Sequence, residues 1–387
     1  MERMIGWTSH RLTLTSGERR ELLGLVKRGY KDGNAKVIEA LLPTDENATY
    51  DVVPGAYVGR FALQSGRVLD IGSGLIVPSD DLLHVLRVAG HLPARLDDAS
   101  TPSQEGWGIV DVLAFALATE AEGIIARGLA KAYEQRRFRS PPLPGSIDVR
   151  DHLSRHGARP DKLVTVAHRL TVDIPRNQAI AAATSLLLRL PLQPAARVRL
   201  RRVAAALSTV STPPMSPSAI DRMIGEHRQA RYDAALRLCA LVLRGNTLSP
   251  AGATLSGASV LFAMTDVWQD FVLAWVRQSY PGAVVKPQYS FPLLNGRSTP
   301  AAAADVVVLD SDEQPSVLFD AKYKAASATP SADDIYQMVT YCERLRLPSA
   351  TLVHPGSGET TSVGIGDRTI VTVRLAVDQV AHSGSAR

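Results

Sequence analysis

Hydrophobic and polar positions follow three different rhythms along the chain, and the changes of rhythm divide it. From residue 1 to 97 short apolar runs with glycine turns dominate. RLTL (11–14), YVGRFAL (57–63) and GRVLDIGSGLIVP (66–78) read as strands, and DDLLHVLRVAGHL (80–92) reads as a helix. The polar stretch DASTPSQEGWG (98–108) reads as a linker. From 109 to 257 the period lengthens to that of helices. IVDVLAFALATEAEGIIARGLAKAYEQR (109–136) reads as one long amphipathic helix, NQAIAAATSLLLRL (177–190) and AARVRLRRVAAALS (195–208) as two more. DRMIGEHRQARYDAALRLCALVLRG (221–245) reads as a fourth, and the proline-rich PPLPGS and TPPMSPS segments are breaks between helices. The third region, 258–387, opens on a predicted helix over SVLFAMTDVWQDFVLAWVRQSY (259–280). Strands are expected at 284–291, 302–309 and 317–324, then a helix at 331–346 and strands at 350–354 and 369–376. An α-β-β-β-α-β order implies a mixed central sheet with flanking helices, so the fold class is mixed α/β.

The chemistry concentrates between 300 and 345. In FDAKYK (319–324) Asp320, Lys322 and Lys324 alternate, and the period of two along a strand turns them to one face. Upstream, ADVVVLD (304–310) is a second apolar strand, and SDEQP between the two is turn chemistry. With Ser311 to Gln314 as the loop, Asp310 faces Pro315, Leu309 faces Ser316, and Asp305 lies directly across from Asp320. Directly opposed residues have Cβ atoms roughly 5 Å apart, where like charges repel. A hard divalent cation between the two carboxylates reverses that sign. The plainer alternative is a hairpin with ordinary solvated charges, but both acids adjoin strongly apolar runs, VVVL and SVLF. Next comes a helix start, with Ser331 as N-cap and Asp334 at the third helical position. Ile335, Met338, Cys342 and Leu345 form its apolar stripe, while Gln337 and Tyr341, four apart, share another face.

Composition changes this picture little. At 387 residues, 45% hydrophobic and 21% charged, the chain suits two or three globular domains. Net charge is +5, but the arginines cluster in RRFR (136–139) and RVRLRR (197–202), which suits a polyanion or a solvated helix face. Cys239 and Cys342 fall inside helical patterns without zinc spacing, as buried thiols of a reducing compartment do. No signal-peptide pattern or membrane-length apolar run is present, so the expected location is cytoplasmic. A G-x4-GK[ST] loop is lacking, which argues against nucleotide hydrolysis by this chain.

The α-β-β-β-α-β order, with Asp on the second strand and Asp-x-Lys on the third, resembles the PD-(D/E)xK nucleases, and Gln337 with Tyr341 resembles the Gln-x3-Tyr helix of their RecB-like branch. The likeness narrows to the McrC family, the nuclease subunits of McrBC-type modification-dependent restriction systems. It rests on DAKYK followed by DIYQMVTYC, and upstream on YVGRFALQSGRVLDIGSGLIV, LLHVLRVAG, GLAKAYEQ, LPGSID, VDIPRNQAI, ARYDAALRLCALVL and MTDVWQDFV. Together these run from about 57 to 355. The resemblance implies a PD-(D/E)xK core in 258–387 and a magnesium-dependent endonuclease, with manganese as a substitute. The metal would be held by Asp305, Asp320, the Ala321 carbonyl and Gln269, with Asp305, Asp320, Lys322 and Gln337 catalytic and Lys324 and Tyr341 near DNA phosphates. It also implies a partner, a McrB-like hexameric AAA+ GTPase docked on the first two regions, and double-stranded DNA with modified cytosine as substrate. Three positions depart from the family. Ala304 replaces the proline before the first acid, IGSGLIV replaces a proline-lysine pair, and Gln269 stands where a metal-side glutamate is usual. The alternatives are a non-cleaving, GTPase-activating adaptor and a stand-alone RecB-like nuclease.

Overall fold

A computed structural model describes residues 1–26, 36–76, 79–92, 107–138, 145–156, 164–247, 258–294, 300–327 and 329–381. The fold is mixed α/β, with four sheets among the described residues. The first is a four-stranded sheet in the order Glu2–Ile5, Val68–Gly72, Tyr57–Ala62 and Ser259–Ala263. Its last strand corrects the sequence reading, which made 259–263 the start of a helix. SVLFA is an apolar run too short for its periodicity to tell buried strand from helix. Pairing with Tyr57–Ala62 decides it, and the helix begins only at Met264. Gly59, at φ +135, permits that pairing: a Cβ there would lie 2.1 Å from the Val260 carbonyl oxygen. A three-stranded sheet of His10–Thr13, Thr49–Pro54 and Ile38–Pro43 and a helix, Ser16–Val26, complete this part.

The helical middle is less helical than its periodicity predicts. The long helix expected to reach 136 stops at Ala126; Gly128 turns the chain at φ +85, and Ala132–Phe138 forms a strand. That strand pairs with Thr165–Thr171, which also carries the two-residue strand Ser146–Ile147. The helix expected over 221–245 is likewise split at Gly225 (φ +84) into Pro217–Asp221, a 3₁₀ turn at His227–Tyr232, and Asp233–Thr247. The linker read at 98–108 lies outside the described residues except for Trp107 and Gly108.

The third region follows the predicted order. Helix Met264–Ser279 precedes strands Val284–Pro292, Ala301–Leu309 and Pro315–Ala321, then helix Ala332–Leu345 and strand Ser349–Pro355. A further hairpin, Thr361–Ile365 and Arg368–Leu375, brings the sheet to six strands. The first three strands are antiparallel, Pro315–Ala321 and Ser349–Pro355 are parallel, and the sheet is therefore mixed. Its two faces feed separate cores. Val306, Val308, Phe319 and Val353 join the main core with Trp268 and Phe271 of the preceding helix. Val307, Leu309, Leu318 and Leu352 pack instead with Met338 and Cys342 of the following one. Both cysteines are buried and free. No helix among the described residues is long and apolar enough to cross a membrane.

Candidate active site

The register between strands Ala301–Leu309 and Pro315–Ala321 builds the site. Val306 pairs with Phe319, so Asp305 and Asp320 stand opposite one another one step further on. Near the turn the pairing slips by one residue, and Leu309 faces Pro315 instead of Ser316; the slip lies between Val308 and Leu309 and leaves the acids in place. Asp320 is only 2% exposed. Asp305 Oδ2 accepts from the Ala321 N–H at 2.9 Å. Burial, and then the charge of Asp320, push the Asp305 carboxyl up to about 7. Asp320 Oδ2 lies 2.8 Å from Lys322 Nζ as an ion pair, yet accepts no directed hydrogen bond among the described residues.

Lys322 and Lys324 lie beyond the strand, which ends at Ala321 and not at 324 as the alternation predicted. Backbone anchoring nevertheless holds the segment. The Lys322 N–H donates to the Val353 carbonyl at 2.9 Å, and Trp268 Nε1 donates to the same oxygen at 3.0 Å. Tyr323 turns the other way, its buried hydroxyl 2.8 Å from Ser73 Oγ of the N-terminal part. The two lysines thus emerge on the side of Asp320. Lys322 Nζ donates to Gln337 Oε1 at 2.8 Å. Burial lowers the affinity of this ammonium for its proton, but the surrounding acids, Asp320 first, outweigh burial and hold its pKa above the ordinary value.

The helix delivers its residues because Ser331 caps it, accepting from the Asp334 N–H at 3.3 Å. Gln337 Nε2 donates to Tyr341 Oη at 3.1 Å and, more weakly, to Asp320 Oδ1 at 3.4 Å. Tyr341 stands edge-on to Phe291, centroids 5.1 Å apart, as much a packing residue as a polar one. Gln269 is half-buried on helix Met264–Ser279 and hydrogen-bonds to neither acid; its neighbour Asp270 pairs with His91 at 3.0 Å. Of the arginine clusters, Arg197 donates to the Leu188 and Leu190 carbonyls and Arg199 pairs with Glu122, which leaves Arg201 and Arg202 exposed. The side chains of RRFR lie outside the described residues.

Two neighbours escaped the sequence reading. Gln288, on strand Val284–Pro292 between the pairs Pro287–Val306 and Tyr289–Ala304, adopts φ +47 and donates to Asp305 Oδ1 at 3.3 Å. A non-glycine residue in the left-handed region beside a carboxylate pair is a feature of functional sites. Asp334 meets both lysines, Lys324 Nζ at 2.5 Å and Lys322 Nζ at 3.5 Å. In the sequence its capping position already accounted for it.

The donor set suits a hard divalent cation. The charge of Asp320 raises the cost of ionising Asp305, and a buried oxygen of Asp320 lacks a directed donor. Among the described residues, however, no group of three or more His, Cys, Asp or Glu side chains converges as a metal cluster. Among the described residues the opposed carboxylates at this point are Asp305 and Asp320.

Residues 52–355 match the family described as McrBC 5-methylcytosine restriction system component. No curated protein matches the sequence. Among solved structures, the chain is similar to one in the refined half-complex from a tetradecameric assembly of Thermococcus gammatolerans McrB AAA+ hexamers with bound McrC. The TM-score is 0.65 at 14% identity, over 97% of this chain and 94% of the other. A chain of the cryo-EM McrBC complex of the same organism matches at TM-score 0.49 and 14% identity, covering 72% of this chain and 88% of that one.

Proposed function

The chain belongs to the McrBC 5-methylcytosine restriction system component family, and from that premise we propose that it is the endonuclease subunit, hydrolysing phosphodiester bonds of DNA with modified cytosine. The observation that carries this reading is the opposed Asp305–Asp320 pair with the Lys322 ammonium 2.8 Å from Asp320. The α-β-β-β-α-β order around it supports a PD-(D/E)xK core. Asp305 and Asp320, with the Ala321 carbonyl, are the residues that would hold magnesium or manganese; bound there, such a cation polarises a phosphate and acidifies a water. Lys322 stays protonated and offsets charge developing on the phosphoryl oxygens. Gln337 fixes that ammonium through its Oε1, and the half-exposed Lys324 meets a backbone phosphate. Tyr341 holds Gln337 in place.

The partner we propose is a McrB-like hexameric AAA+ GTPase. Family membership supports this, as does likeness to a chain from an assembly in which McrC is bound to McrB hexamers. A second reading, an adaptor that activates the GTPase without cutting, draws on Gln269 and on the two-carboxylate donor set. One experiment separates the two. The full chain is mixed with the AAA+ protein, GTP, magnesium and cytosine-methylated plasmid, alongside Asp320→Asn. Cleavage by the parent only, with GTP hydrolysis stimulated by both, is the expected result; stimulation with no cleavage by either establishes the adaptor.

A further inference from the structure

Lys322 and Lys324 are two residues apart in a turn, and both of their ammonium groups converge on one carboxylate from another element. Asp334 Oδ2 lies 2.5 Å from Lys324 Nζ, and its Oδ1 lies 3.5 Å from Lys322 Nζ. Ser331 Oγ donates to the same Oδ2 at 2.6 Å. Among the described residues the partners of this carboxylate are therefore two lysines and the cap hydroxyl. Asp334 is 6% exposed, whereas the Lys324 side chain is 43% exposed, so the anchor is fixed and the cation reaches outward from it. Asp334, Gln337 and Tyr341 follow at i, i+3 and i+7, one face of the helix, so the element that holds Gln337 against Lys322 also presents Asp334.

A lysine side chain has many rotamers, which a productive geometry must restrain. Lys322 is restrained from three directions: Asp320 at 2.8 Å, Gln337 at 2.8 Å and Asp334 at 3.5 Å. Without Asp334, Lys322 keeps Asp320 and Gln337 but loses its third restraint, and Lys324 loses the carboxylate that ties it to Lys322. We infer that Asp334 is a positioning residue of the cleavage site: it joins Lys324 to Lys322 and holds the two as a fixed pair of cations for the phosphates of the bound strand. The inference rests on the phosphodiesterase reading of this site.

The test uses full-length Asp334→Asn, which keeps side-chain volume, and Asp334→Glu, which keeps the charge one methylene further out. The first arm needs no activity. Lys322 and Lys324 are labelled with an amine-acylating reagent and the labelled peptides are quantified by mass spectrometry. Severalfold faster labelling of both lysines in Asp334→Asn, with Asp334→Glu intermediate, supports the inference; labelling unchanged from the parent overturns it. The second arm is single-turnover cleavage of methylated plasmid with the AAA+ partner. A rate about 10- to 100-fold lower in Asp334→Asn is expected. The DNA concentration for half-maximal rate and the thermal midpoint stay near the parent values, and Asp334→Glu recovers part of the rate. Parent-like cleavage by Asp334→Asn overturns the inference. Should Asp334→Asn fail to fold, Asp334→Glu is judged alone: intermediate labelling and rate support the inference, and parent values in both overturn it. A parent protein that never cuts overturns the nuclease reading instead, and the labelling arm then decides the lysine clamp independently.

Discussion

Two sites in this molecule each bring a pair of carboxylates together, and they resolve the repulsion in opposite ways. Where the first sheet meets helix Ile109–Ala126, Asp70 and Asp111 share Arg60, which is fully buried. Its Nη2 lies 3.0 Å from Asp70 and 2.7 Å from Asp111, and its Nε donates to Asp70 at 3.2 Å. Asp111 is satisfied further by the Gln193 N–H at 2.7 Å and the Gly108 N–H at 3.2 Å. A Cβ at Gly108 would lie 2.4 Å from Asp70 Oδ2, so a larger residue there would have to displace that carboxylate. This cluster ties the first sheet to helix Ile109–Ala126 and to the segment around Pro191. At the hairpin, by contrast, the ion pairs among the described residues are made by lysines, which Asp320 shares with Asp334, and Asp305 holds its proton up to about 7. A planar guanidinium with matched forks makes a closed structural joint, whereas an ammonium shared with a further acid leaves a carboxylate pair short of positive charge and so open to a ligand.

The sharpest way to break the contrast is to remove the arginine. Arg60→Met leaves Asp70 and Asp111 buried without their counter-charge, which costs about 3–5 kcal/mol when one partner of such a pair is lost. Urea denaturation followed by circular dichroism is expected to show that loss. A change below about 1 kcal/mol would mean that Arg3, 3.8 Å from Asp70, takes over the role. At the hairpin the same logic gives the opposite sign. Asp305→Asn removes like-charge repulsion, so the thermal midpoint holds or rises, while cleavage falls at least about 100-fold, roughly 2.7 kcal/mol of transition-state stabilisation. A variant that lost stability and kept cutting would assign the hairpin a structural role like that of Arg60.

Lys322→Ala is expected to reduce cleavage to a similar degree while leaving folding and stimulation of the GTPase near parent levels. Adding magnesium provides a smaller effect. At ten times its dissociation constant a ligand adds about 1.4 kcal/mol of stability, read as a rise in thermal midpoint. That rise is expected in the parent and absent in Asp320→Asn. A rise of equal size in both proteins would place the cation elsewhere.

How much of this was legible in the sequence depended on whether local signals agreed with long-range ones. The hairpin register could be read because two apolar runs flank a short polar turn, and a slip would turn every side chain to the other face. The site helix could be read because Ser331 caps it. AYEQRRF (132–138) was misread because Ala, Glu, Gln and Arg favour helices, and only pairing with Thr165–Thr171 makes it a strand. SVLFA was misread because its partner strand lies some 200 residues earlier in the chain. Arg60 carries no local mark of its role, since its partners Asp70 and Asp111 converge only in the folded chain. Asp334 and Gln288 were passed over for different reasons: a capping acid needs no further explanation, and a left-handed glutamine leaves no trace in periodicity.

The smallest effect is expected at Gln269, and it measures how far the carboxylate pair can be enriched. The helix that carries Gln269 shares a core with Val306, Val308 and Phe319, the face of the sheet turned away from helix Ala332–Leu345. A carboxylate introduced there acts on the site from beside the sheet and not across the hairpin. For a separation of about 10 Å and a water-like dielectric constant of about 80, the added attraction for a divalent cation is on the order of 1 kcal/mol. Gln269→Glu is therefore expected to lower the magnesium concentration for half-maximal cleavage by a few-fold without changing GTP hydrolysis by the partner. Side-by-side titrations on one methylated substrate read the effect directly. Superimposable curves would remove Gln269 from the metal's surroundings and leave Asp305 and Asp320 as the only side chains that determine cation affinity.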